Sequence, residues 1–515
     1  MAAADDSQER PASLKAGSQV QPATADAVRA RIDDIGFGPF QLMVLIGAGG
    51  VLASEGAEVL VMGSVTTLLI QAWGISPLMR GLMVSIVFVG FCIGNLLSGG
   101  IGDRLGRRAA ILIAYLLIGT MGIVTSLVNS PAQMLVFRFF VGLGCGIGFP
   151  SVYALMAEVC PANLRGVLFA ATVGFMPLGE LYASIGVLLF DPMLEGASDR
   201  DTWRQLIQFS AAPSFFFFVF TALFLHESPL YLLAKGRIED VNLVMTAMAQ
   251  QNGSSDAQTS FAAIPSSSSP DASPRTLQQK NGDSDGAMAV WISKMTRPFG
   301  QPYLPTTLMM FLAHFTKDFS VFGLNYVFPQ YFKEMSGPML VGTEMAVVSL
   351  LSFPGVLLGG FVTSVDSVGH IPCLSSAAGL CGIWSIGLLT IFPADFHGVC
   401  AYALKFLALT YFIITAAYTA EVFPTSIRSS AVGLCTGAGR TGSIAAPIFF
   451  ELTRKTTDSF DPFWIAIMVL GLSVAVLSRC TLSLETKGKP LLDDADPDAS
   501  ARKHPHPGYS ATDNA

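Results

Sequence analysis

The sequence predicts an all-α membrane protein with twelve transmembrane helices, arranged as two six-helix repeats. Composition is the first reason: of 515 residues, 51% are hydrophobic and only 13% are charged, too few to cover a soluble protein of this length. The second reason is a series of apolar runs of about 20 residues, the length that crosses a bilayer core about 30 Å thick. The third is a sequence repeat between the two halves of the chain.

Apolar runs that lie in lipid must satisfy their backbone hydrogen bonds within the segment, so each run is predicted to be a helix. The twelve runs are centred near Val59, Phe88, Leu116, Gly142, Leu178, Phe217, Val321, Leu351, Leu380, Leu407, Ser443 and Met468. The longest connection falls between the sixth and the seventh run. We therefore expect a first bundle over residues 39–232 and a second bundle over residues 303–486.

Lysine and arginine are unevenly distributed over the loops. When the loops are assigned alternately to the two sides, one side collects twenty of these residues and the other collects six. This bias predicts that both termini and the central connection are cytoplasmic. Residues 1–38 and 487–515 are then cytoplasmic tails, and residues 233–302 form a cytoplasmic linker. Much of the linker and the C-terminal tail is polar, a composition typical of disorder.

Two landmarks recur along the chain at one offset. Residues 157–165 match residues 420–428, with the glutamates at an offset of 421 − 158 = 263. Residues 103–106 recur as residues 366–369 at the same offset, 366 − 103 = 263. A duplicated six-helix unit is typical of transporters whose two halves rock about a central site.

The turn between the second and third helices has the sequence GGIGDRLGRR (residues 99–108), which resembles the signature of the major facilitator superfamily at every position. The resemblance implies that this turn latches the outward-facing state and is released on the inward swing. The alternative is that its basic residues only fix the topology. The predicted gating residues are Gly99, Asp103, Arg104, Gly106, Arg107 and Arg108, with Asp366 and Gly369 of the second copy. In that copy Ser367 and His370 replace arginines, so we expect a weaker latch.

Charged residues near the cytoplasmic helix ends resemble the charge network of sugar-porter-like members of the superfamily. The set comprises Glu158, Arg165, Glu227, Glu421, Arg428 and Glu485. The pair of glutamines that binds sugar in that branch is missing from residues 312–331. Residues 35–41 and 437–442 resemble more closely the synaptic-vesicle-protein-related and organic-ion-transporting subgroup. The resemblance therefore favours an organic ion over a sugar as the transported solute.

Eight ionisable residues are predicted at membrane depth, where each costs about 2.5–3.5 kcal/mol on insertion scales. The acids are Glu55, Glu58, Glu180 and Asp318, and the bases are Arg138, Lys317, Lys405 and Arg440. Such groups tend to be paired or functional. Of the eight, Glu55, Glu58, Glu180, Lys317, Asp318 and Arg440 are the predicted substrate and proton-coupling residues.

Glu55 and Glu58 are three residues apart and share one face of the first helix. Two carboxylates that close cannot both ionise cheaply in a low dielectric, so one of them should hold a proton. This predicts a proton-coupling or cation site, and loss of Glu58 is expected to abolish any pH dependence of uptake. The alternatives are substrate contact alone, or a structural pair neutralised by a base on another helix.

The bases at membrane depth have different predicted partners. Arg440 is the candidate to bind an anionic group such as a carboxylate, or to form a salt bridge to an acid of the first helix. Lys317 and Asp318 are adjacent and point to different faces, so that one of them could pair with Glu180. Arg138 is expected in a structural ion pair, and Lys405 is expected to snorkel outward.

The resulting hypothesis is a secondary carrier of a small organic ion that works by alternating access and is proton-coupled or facilitative. A sugar or polyol porter is the alternative within transport, and a non-transporting receptor or vesicle protein with the same fold is the alternative outside it. An enzyme is not expected, because no phosphate-binding loop, metal-ligand cluster or nucleophile constellation is present in the sequence. The expected partners are the solute, protons and the lipid bilayer of a plasma or vesicle membrane, without cofactor, metal or nucleic acid, and the expected state is a monomer.

Overall fold

The computed structural model describes residues 21–195, 201–254, 260–262, 295–334, 339–365, 368–424, 427–482 and 486. These residues form twelve helical spans, α1 to α12. The first six are α1 (Pro39–Trp73), α2 (Pro77–Leu105), α3 (Arg107–Ser126), α4 (Pro131–Val159), α5 (Arg165–Val173 and Phe175–Phe190) and α6 (Thr202–Phe224). The last six are α7 (Leu304–Glu334), α8 (Val341–Ser364), α9 (His370–Ile386), α10 (Ala394–Val422), α11 (Arg428–Thr457) and α12 (Asp461–Thr481).

The twelve-helix prediction is confirmed, although the spans differ in character. Within the described ranges, nine of them are long and apolar enough to cross a membrane by length and hydropathy alone. The other three are α7, α9 and α11. The α9 helix has only 17 residues, and the other two carry several charged residues along their length. The two spans that carry these charges, α7 and α11, are the first and the fifth helices of the second half.

Local sequence sets where the spans begin and end. The α2 and α4 helices each start with proline behind a serine cap: Ser76 Oγ accepts from the Met79 amide at 3.3 Å, and Ser130 Oγ accepts from the Gln133 amide at 3.4 Å. Serine satisfies an amide that the helix leaves free, and proline at the first position has no amide to satisfy. The α1 helix ends at Gly74, whose φ of 59° is the left-handed conformation that favours glycine.

Each group of six helices packs as a bundle, and the two bundles meet along three helix pairs. Within the first, α2 packs against α4, and α1 packs against α5 and α6; within the second, α7 packs against α11, α9 against α12 and α8 against α10. The halves meet where α2 lies against α11, α5 against α8, and α1 against α7. Close packing needs glycine at the α1–α5 crossing, because a Cβ at Gly179 would lie 1.8 Å from the carbonyl oxygen of Ala53.

One face of the bundle carries additional structure, and we call it the linker face. The helices Ala25–Ile35, Pro229–Ala234 and Ile238–Gln251 lie there, and the two-residue strands β1 (Gln21–Pro22) and β2 (Phe261–Ala262) pair in parallel. The described part of the linker is thus helical over fourteen residues.

Asn252 ties the linker to the start of α1. Its Nδ2 donates to the Gly36 carbonyl oxygen at 3.1 Å and to Gln41 Oε1 at 2.8 Å, and its Oδ1 accepts from the Phe40 amide at 3.1 Å. A Cβ at Gly38 would overlap the Asn252 side chain at 2.4 Å. The linker helix and the first membrane helix are therefore fixed to each other.

The two halves are closed together at the face opposite the linker. There Arg80 Nη2 lies 3.5 Å from Glu451 Oε1, and Ser85 Oγ donates to the Ile444 carbonyl oxygen at 2.8 Å. The Gly342 amide of α8 also donates to the carbonyl oxygen of Pro192, in the loop after α5, at 3.1 Å. Toward the linker face, a cavity of about 280 Å³ is lined by residues of α4, α5, α8 and α10. The cavity thus lies toward the linker face, and we call the opposite face the closed face.

Candidate transport site

All eight charged residues predicted at membrane depth are buried, with side chains at most 3% exposed. They lie on α1, α4, α5, α7, α10 and α11, around the axis between the two halves. They form three groups with different partners. The first group lies inside one half, the second joins the halves, and the third leaves polar atoms without partners.

The first group is the ion pair of Glu58 on α1 with Arg138 on α4. Arg138 Nη1 donates to Glu58 Oε2, and its Nη2 donates to the Glu58 carbonyl oxygen at 3.2 Å. Ser210 Oγ donates to the other carboxylate oxygen at 2.9 Å. Arg138 thus has the structural ion pair expected for it. Glu58 is neutralised by a base on another helix, as the structural alternative anticipated.

The second group joins α5 of the first half to α7 and α10 of the second. Lys405 Nζ lies 3.1 Å from Glu180 Oε1 and also donates to Asn325 Oδ1. Asn325 Nδ2 donates to the same Glu180 oxygen at 2.7 Å. The expectation that Lys405 snorkels outward is wrong: it lies eleven residues into α10, about 16 Å from the helix start, and is fully buried.

The third group contains Glu55, Lys317, Asp318 and Arg440. The expectation that Lys317 or Asp318 pairs with Glu180 is wrong, because they pair with each other: Lys317 Nζ lies 3.1 Å from Asp318 Oδ1 and 4.2 Å from the centre of the Phe412 ring. Adjacent residues of a helix project about 100° apart, so their side chains can still meet when both bend toward the same neighbouring helix.

Arg440 lies within a cluster of aromatic rings. Its guanidinium carbon is 3.8 Å from the ring centre of Phe91, 5.1 Å from that of Phe322 and 5.6 Å from that of Phe149. Its nearest acid is Asp318, at 4.0 Å between Nη1 and Oδ2, so the alternative of a salt bridge to an acid of α1 is not realised. The rings come from both halves, which places the guanidinium at their junction.

Several buried polar atoms of this third group have no hydrogen-bond partner within the described residues. They are both carboxylate oxygens of Glu55, both of Asp318, and Nε and Nη1 of Arg440. Both oxygens of Glu58, by contrast, have donors in Arg138 and Ser210. The expected Glu55–Glu58 pair is therefore divided, with Glu58 bound to Arg138 and Glu55 facing the centre. Unsatisfied buried groups of this kind are rare in proteins and concentrate where a ligand binds.

Apart from the Arg80–Glu451 pair, which cancels between the halves, the buried charges differ in sign between the two halves. In the first half Glu58 and Arg138 cancel, so Glu55 and Glu180 leave a formal charge of −2. In the second half Lys317, Lys405 and Arg440 against Asp318 give 3 − 1 = +2. The centre as a whole is thus formally neutral, but only while the halves face each other.

On the linker face, Glu227 caps the start of α3. Its Oε1 accepts from the Arg107 amide at 2.9 Å, and its Oε2 accepts from the Arg108 amide at 3.2 Å. Gly106 is required beside it, because its φ is 102° and a Cβ there would lie 2.1 Å from Glu227 Oε2. A carboxylate at a helix N-terminus is stabilised by the free amides and the helix dipole.

The charged residues of the same turn contact their own half. Arg107 pairs with Asp103 at 3.2 Å and with Glu158 at 3.3 Å, and the Arg104 carbonyl oxygen accepts from a tyrosine hydroxyl. Asp103 is exposed, and a Cβ at Gly99 would meet nothing within 4 Å. The contacts named here all lie within the first half, and the gating role of the turn stays a prediction.

The second half keeps an equivalent contact with a different base. His370 Nε2 lies 3.1 Å from Glu421 Oε2, and both residues follow Arg107 and Glu158 by 263 positions. Thr486 Oγ1 donates to the same Glu421 oxygen at 3.1 Å. An imidazole presents at most two N–H donors where a guanidinium presents five, so His370 can hold fewer acceptors than Arg107 does.

The remaining predicted residues of this face are less engaged. Gly369 precedes α9 as its cap, Arg428 Nε donates to the Phe423 carbonyl oxygen at 3.1 Å, and Arg165 is exposed at the rim of the cavity. Asp366 and Glu485 lie outside the described residues.

The sequence interpretation missed Asn325 and Glu451, both buried. Glu451 accepts from the Tyr326 hydroxyl at 2.5 Å and pairs with Arg80, which the sequence had placed in a loop. A polar amide in an apolar run was the available signal for Asn325, but only ionisable residues had been considered. Glu451 lies eight residues beyond the centre of its run, and that position should have placed it at membrane depth.

Comparison with known proteins agrees with this architecture. The chain is 26% identical over 506 residues to organic cation/carnitine transporter 7 of Arabidopsis thaliana, covering 92% of this chain and 96% of the relative. It is 25% identical over 468 residues to a niacin transporter of Acinetobacter baylyi, covering 90% and 98%. A synaptic vesicle 2-related protein of Rattus norvegicus is 24% identical over 494 residues, covering 91% and 82%.

Solved structures share the fold. The inward-open xylose transporter of E. coli superposes with a TM-score of 0.66 at 18% identity, covering 87% of this chain and 97% of that one. Residues 49–494 match the family described as sugar (and other) transporter. This match over most of the chain confirms the resemblance to the major facilitator superfamily. The chain belongs to this family of membrane transporters.

Proposed function

We propose that the protein carries a small organic anion together with a proton, by alternating access between its two halves. The observation that supports the proposal is the third group of buried residues. There both carboxylate oxygens of Glu55, and Nε and Nη1 of Arg440, are buried without a hydrogen-bond partner among the described residues. Leaving such groups buried without partners costs about 1–3 kcal/mol each, and a charged ligand with a proton would supply those partners.

Arg440 is the proposed anchor for the anion. A guanidinium presents a planar fork of donors that fits a carboxylate with two parallel hydrogen bonds. The rings of Phe91, Phe149 and Phe322 surround it and favour a flat, partly apolar cargo. The name of one relative fits, because niacin is an aromatic carboxylic acid. Carnitine, named for a second relative, carries a carboxylate beside a quaternary ammonium group and shares only the carboxylate. The missing glutamine pair speaks against a sugar.

Glu55 is the proposed proton carrier. Neither of its carboxylate oxygens has a hydrogen-bond donor among the described residues. An anion that binds Arg440 brings a second negative charge into the same low-dielectric space, so Glu55 is then favoured in its protonated form. One proton would accompany one monocarboxylate, and the loaded centre would keep the neutrality of the empty one.

The proposed cycle places the linker face in the cytoplasm, as the lysine and arginine bias predicts. The form described here is then inward-facing, with the cavity between α4, α5, α8 and α10 as the route to the cytoplasm. On the outward swing the cavity closes and the turn that contains Asp103 meets α11.

A ligand screen tests the proposal directly. Binding to the folded state stabilises a protein by about 2.7 kcal/mol at 100 times Kd, which raises the melting temperature of the detergent-purified carrier. We expect nicotinate, other aromatic carboxylates or carnitine to raise it, more strongly at acidic than at alkaline pH. Stabilisation by sugars alone would contradict the proposal and support the sugar or polyol porter. Stabilisation by carboxylates without uptake into proteoliposomes would indicate a receptor.

Asp103→Asn tests the role of the turn. The substitution removes a charge whose ion pair within the described residues is with Arg107 of the same turn. We expect the Kd for cargo to change less than about threefold and the uptake rate to fall about tenfold or more, because the latch that the substitution weakens forms in the outward-facing state. Arg237→Gln is the control, since Arg237 pairs with Asp240 on an exposed linker helix. Unchanged uptake by Asp103→Asn would show that the turn only fixes topology.

A further inference from the structure

We infer that Glu180, Asn325 and Lys405 form a buried lock that holds the two halves together on the side away from the linker face. Glu180 belongs to the first half, and the other two belong to the second. The three polar groups bind one another at distances up to 3.1 Å. The inference depends on the rocking of two halves and not on the identity of the cargo.

The position along the helices separates this lock from the candidate transport site. Asn325 lies seven residues beyond Asp318 on α7, about 10 Å further toward the closed face. The carbonyl oxygen of Asn325 also contacts α1, since a Cβ at Gly63 would lie 2.8 Å from it. One turn beyond Glu180, Ser184 Oγ and Ser349 Oγ lie 3.5 Å apart and join α5 to α8.

The neighbour of Asn325 on α7 closes the other side of the same interface. The Tyr326 hydroxyl binds Glu451 on α11, and Arg80 on α2 reaches the same carboxylate at 3.5 Å. Residues 325 and 326 therefore contribute to two separate connections between the halves. Only the lock is fully enclosed, with Glu180 and Lys405 at most 1% exposed.

The ion pair of Glu180 with Lys405 couples the lock to the opening of the face away from the linker. When the halves part at this face, Glu180 and Lys405 separate, and water entering the open route solvates each of them. If one partner is removed while the face stays closed, the other remains as an uncompensated buried charge, which is strongly unfavourable. A single neutralisation should therefore drive the protein toward the form that is open at this face. Neutralising both should remove that drive.

The chain supplies a matched comparison in the pair of Glu58 and Arg138. This pair is equally buried and has the same charges, but α1 and α4 both belong to the first half. Rocking of the halves does not separate them. Loss of one member should therefore strain the first half without favouring either face.

The test reports the opening of the closed face without needing a cargo. Ser349→Cys is introduced as a reporter after the eight native cysteines are replaced, because Ser349 is 1% exposed in the closed form. The rate of maleimide labelling is measured on folded, detergent-purified protein. We expect Lys405→Met and Glu180→Gln each to raise the rate about tenfold or more, and the double variant to return within about threefold of the parent. Arg138→Met should stay within about threefold.

Two results would contradict the inference that these three residues lock the halves together. One is a labelling rate in both single variants that equals that of the parent. The other is an equal rise in Arg138→Met, which would mean that any buried charge loosens the protein. If the single variants do not fold, the exchange Glu180→Lys with Lys405→Glu replaces them. This exchange restores opposite charges and must label like the parent, and a tenfold rise in it would contradict the inference.

Discussion

Arg440→Gln is expected to weaken binding of carboxylates by about 10- to 100-fold, with a matching loss of uptake. The size follows from the loss of a charged, two-point hydrogen bond, which contributes about 1.5–3 kcal/mol. Arg440→Lys should bind carboxylates with an affinity between those of the parent and of Arg440→Gln, because lysine keeps the charge and loses the planar fork. Binding is measured by calorimetry on purified protein, and uptake is measured in proteoliposomes with labelled nicotinate.

The control for this prediction lies on the same helix. Arg454 on α11 pairs with Glu334 at the helix end and is partly exposed. Arg454→Gln makes the same chemical change fourteen residues away and should leave the affinity for carboxylates within about twofold. Binding of carboxylates by Arg440→Gln at the affinity of the parent would exclude Arg440 as the anchor.

Glu55→Gln is expected to abolish accumulation of cargo driven by a pH gradient. Without a titratable carboxyl, no proton accompanies the anion, so uptake should no longer rise as the outside is acidified. Exchange of labelled for unlabelled cargo should continue, because the amide imitates the protonated acid. Both are measured in proteoliposomes with set internal and external pH. Gradient-driven accumulation equal to that of the parent would remove Glu55 from the coupling role.

The structure moves this prediction from Glu58 to Glu55. Both oxygens of Glu58 have donors, Arg138 and Ser210, whereas neither oxygen of Glu55 has one among the described residues. Glu58→Gln, the comparison variant, should act mainly on folding. It leaves Arg138 buried without its counter-ion, a change that costs about 3–5 kcal/mol in measured cases. A lower melting temperature with the pH dependence retained is the expected result.

Much of the fold followed from the sequence, because the bilayer allows few solutions. Span length, hydropathy and the offset of 263 residues sufficed for twelve helices in two repeated sets. The eight charges expected at membrane depth are all buried. The depth of a residue in the membrane depends on its position along its own helix, so the sequence of that helix is enough to predict it.

The partners of those charges depend on which helices pack together and which faces meet, and the sequence pattern does not show this. The sequence analysis considered Lys317 or Asp318 of α7 as the partner of Glu180. In the structure α10 lies beside α5, and Lys405 of α10 is the partner instead. Spacing alone put Glu55 and Glu58 together, yet Glu58 binds Arg138 of α4, whereas Glu55 has no donor among the described residues. Asn325 carries no charge, so its place between two charged groups became visible only from the packing.

The opposite formal charges of the two halves have a consequence for the response to membrane voltage. A field acts on net charge that crosses it, at about 2.3 kcal/mol per charge for each 100 mV. The −2 of one half and the +2 of the other sum to zero, so the empty carrier has no net central charge for the voltage to move. If an anion travels with one proton, the loaded carrier is equally indifferent. A cell could then drive accumulation by acidity alone, whatever its resting potential.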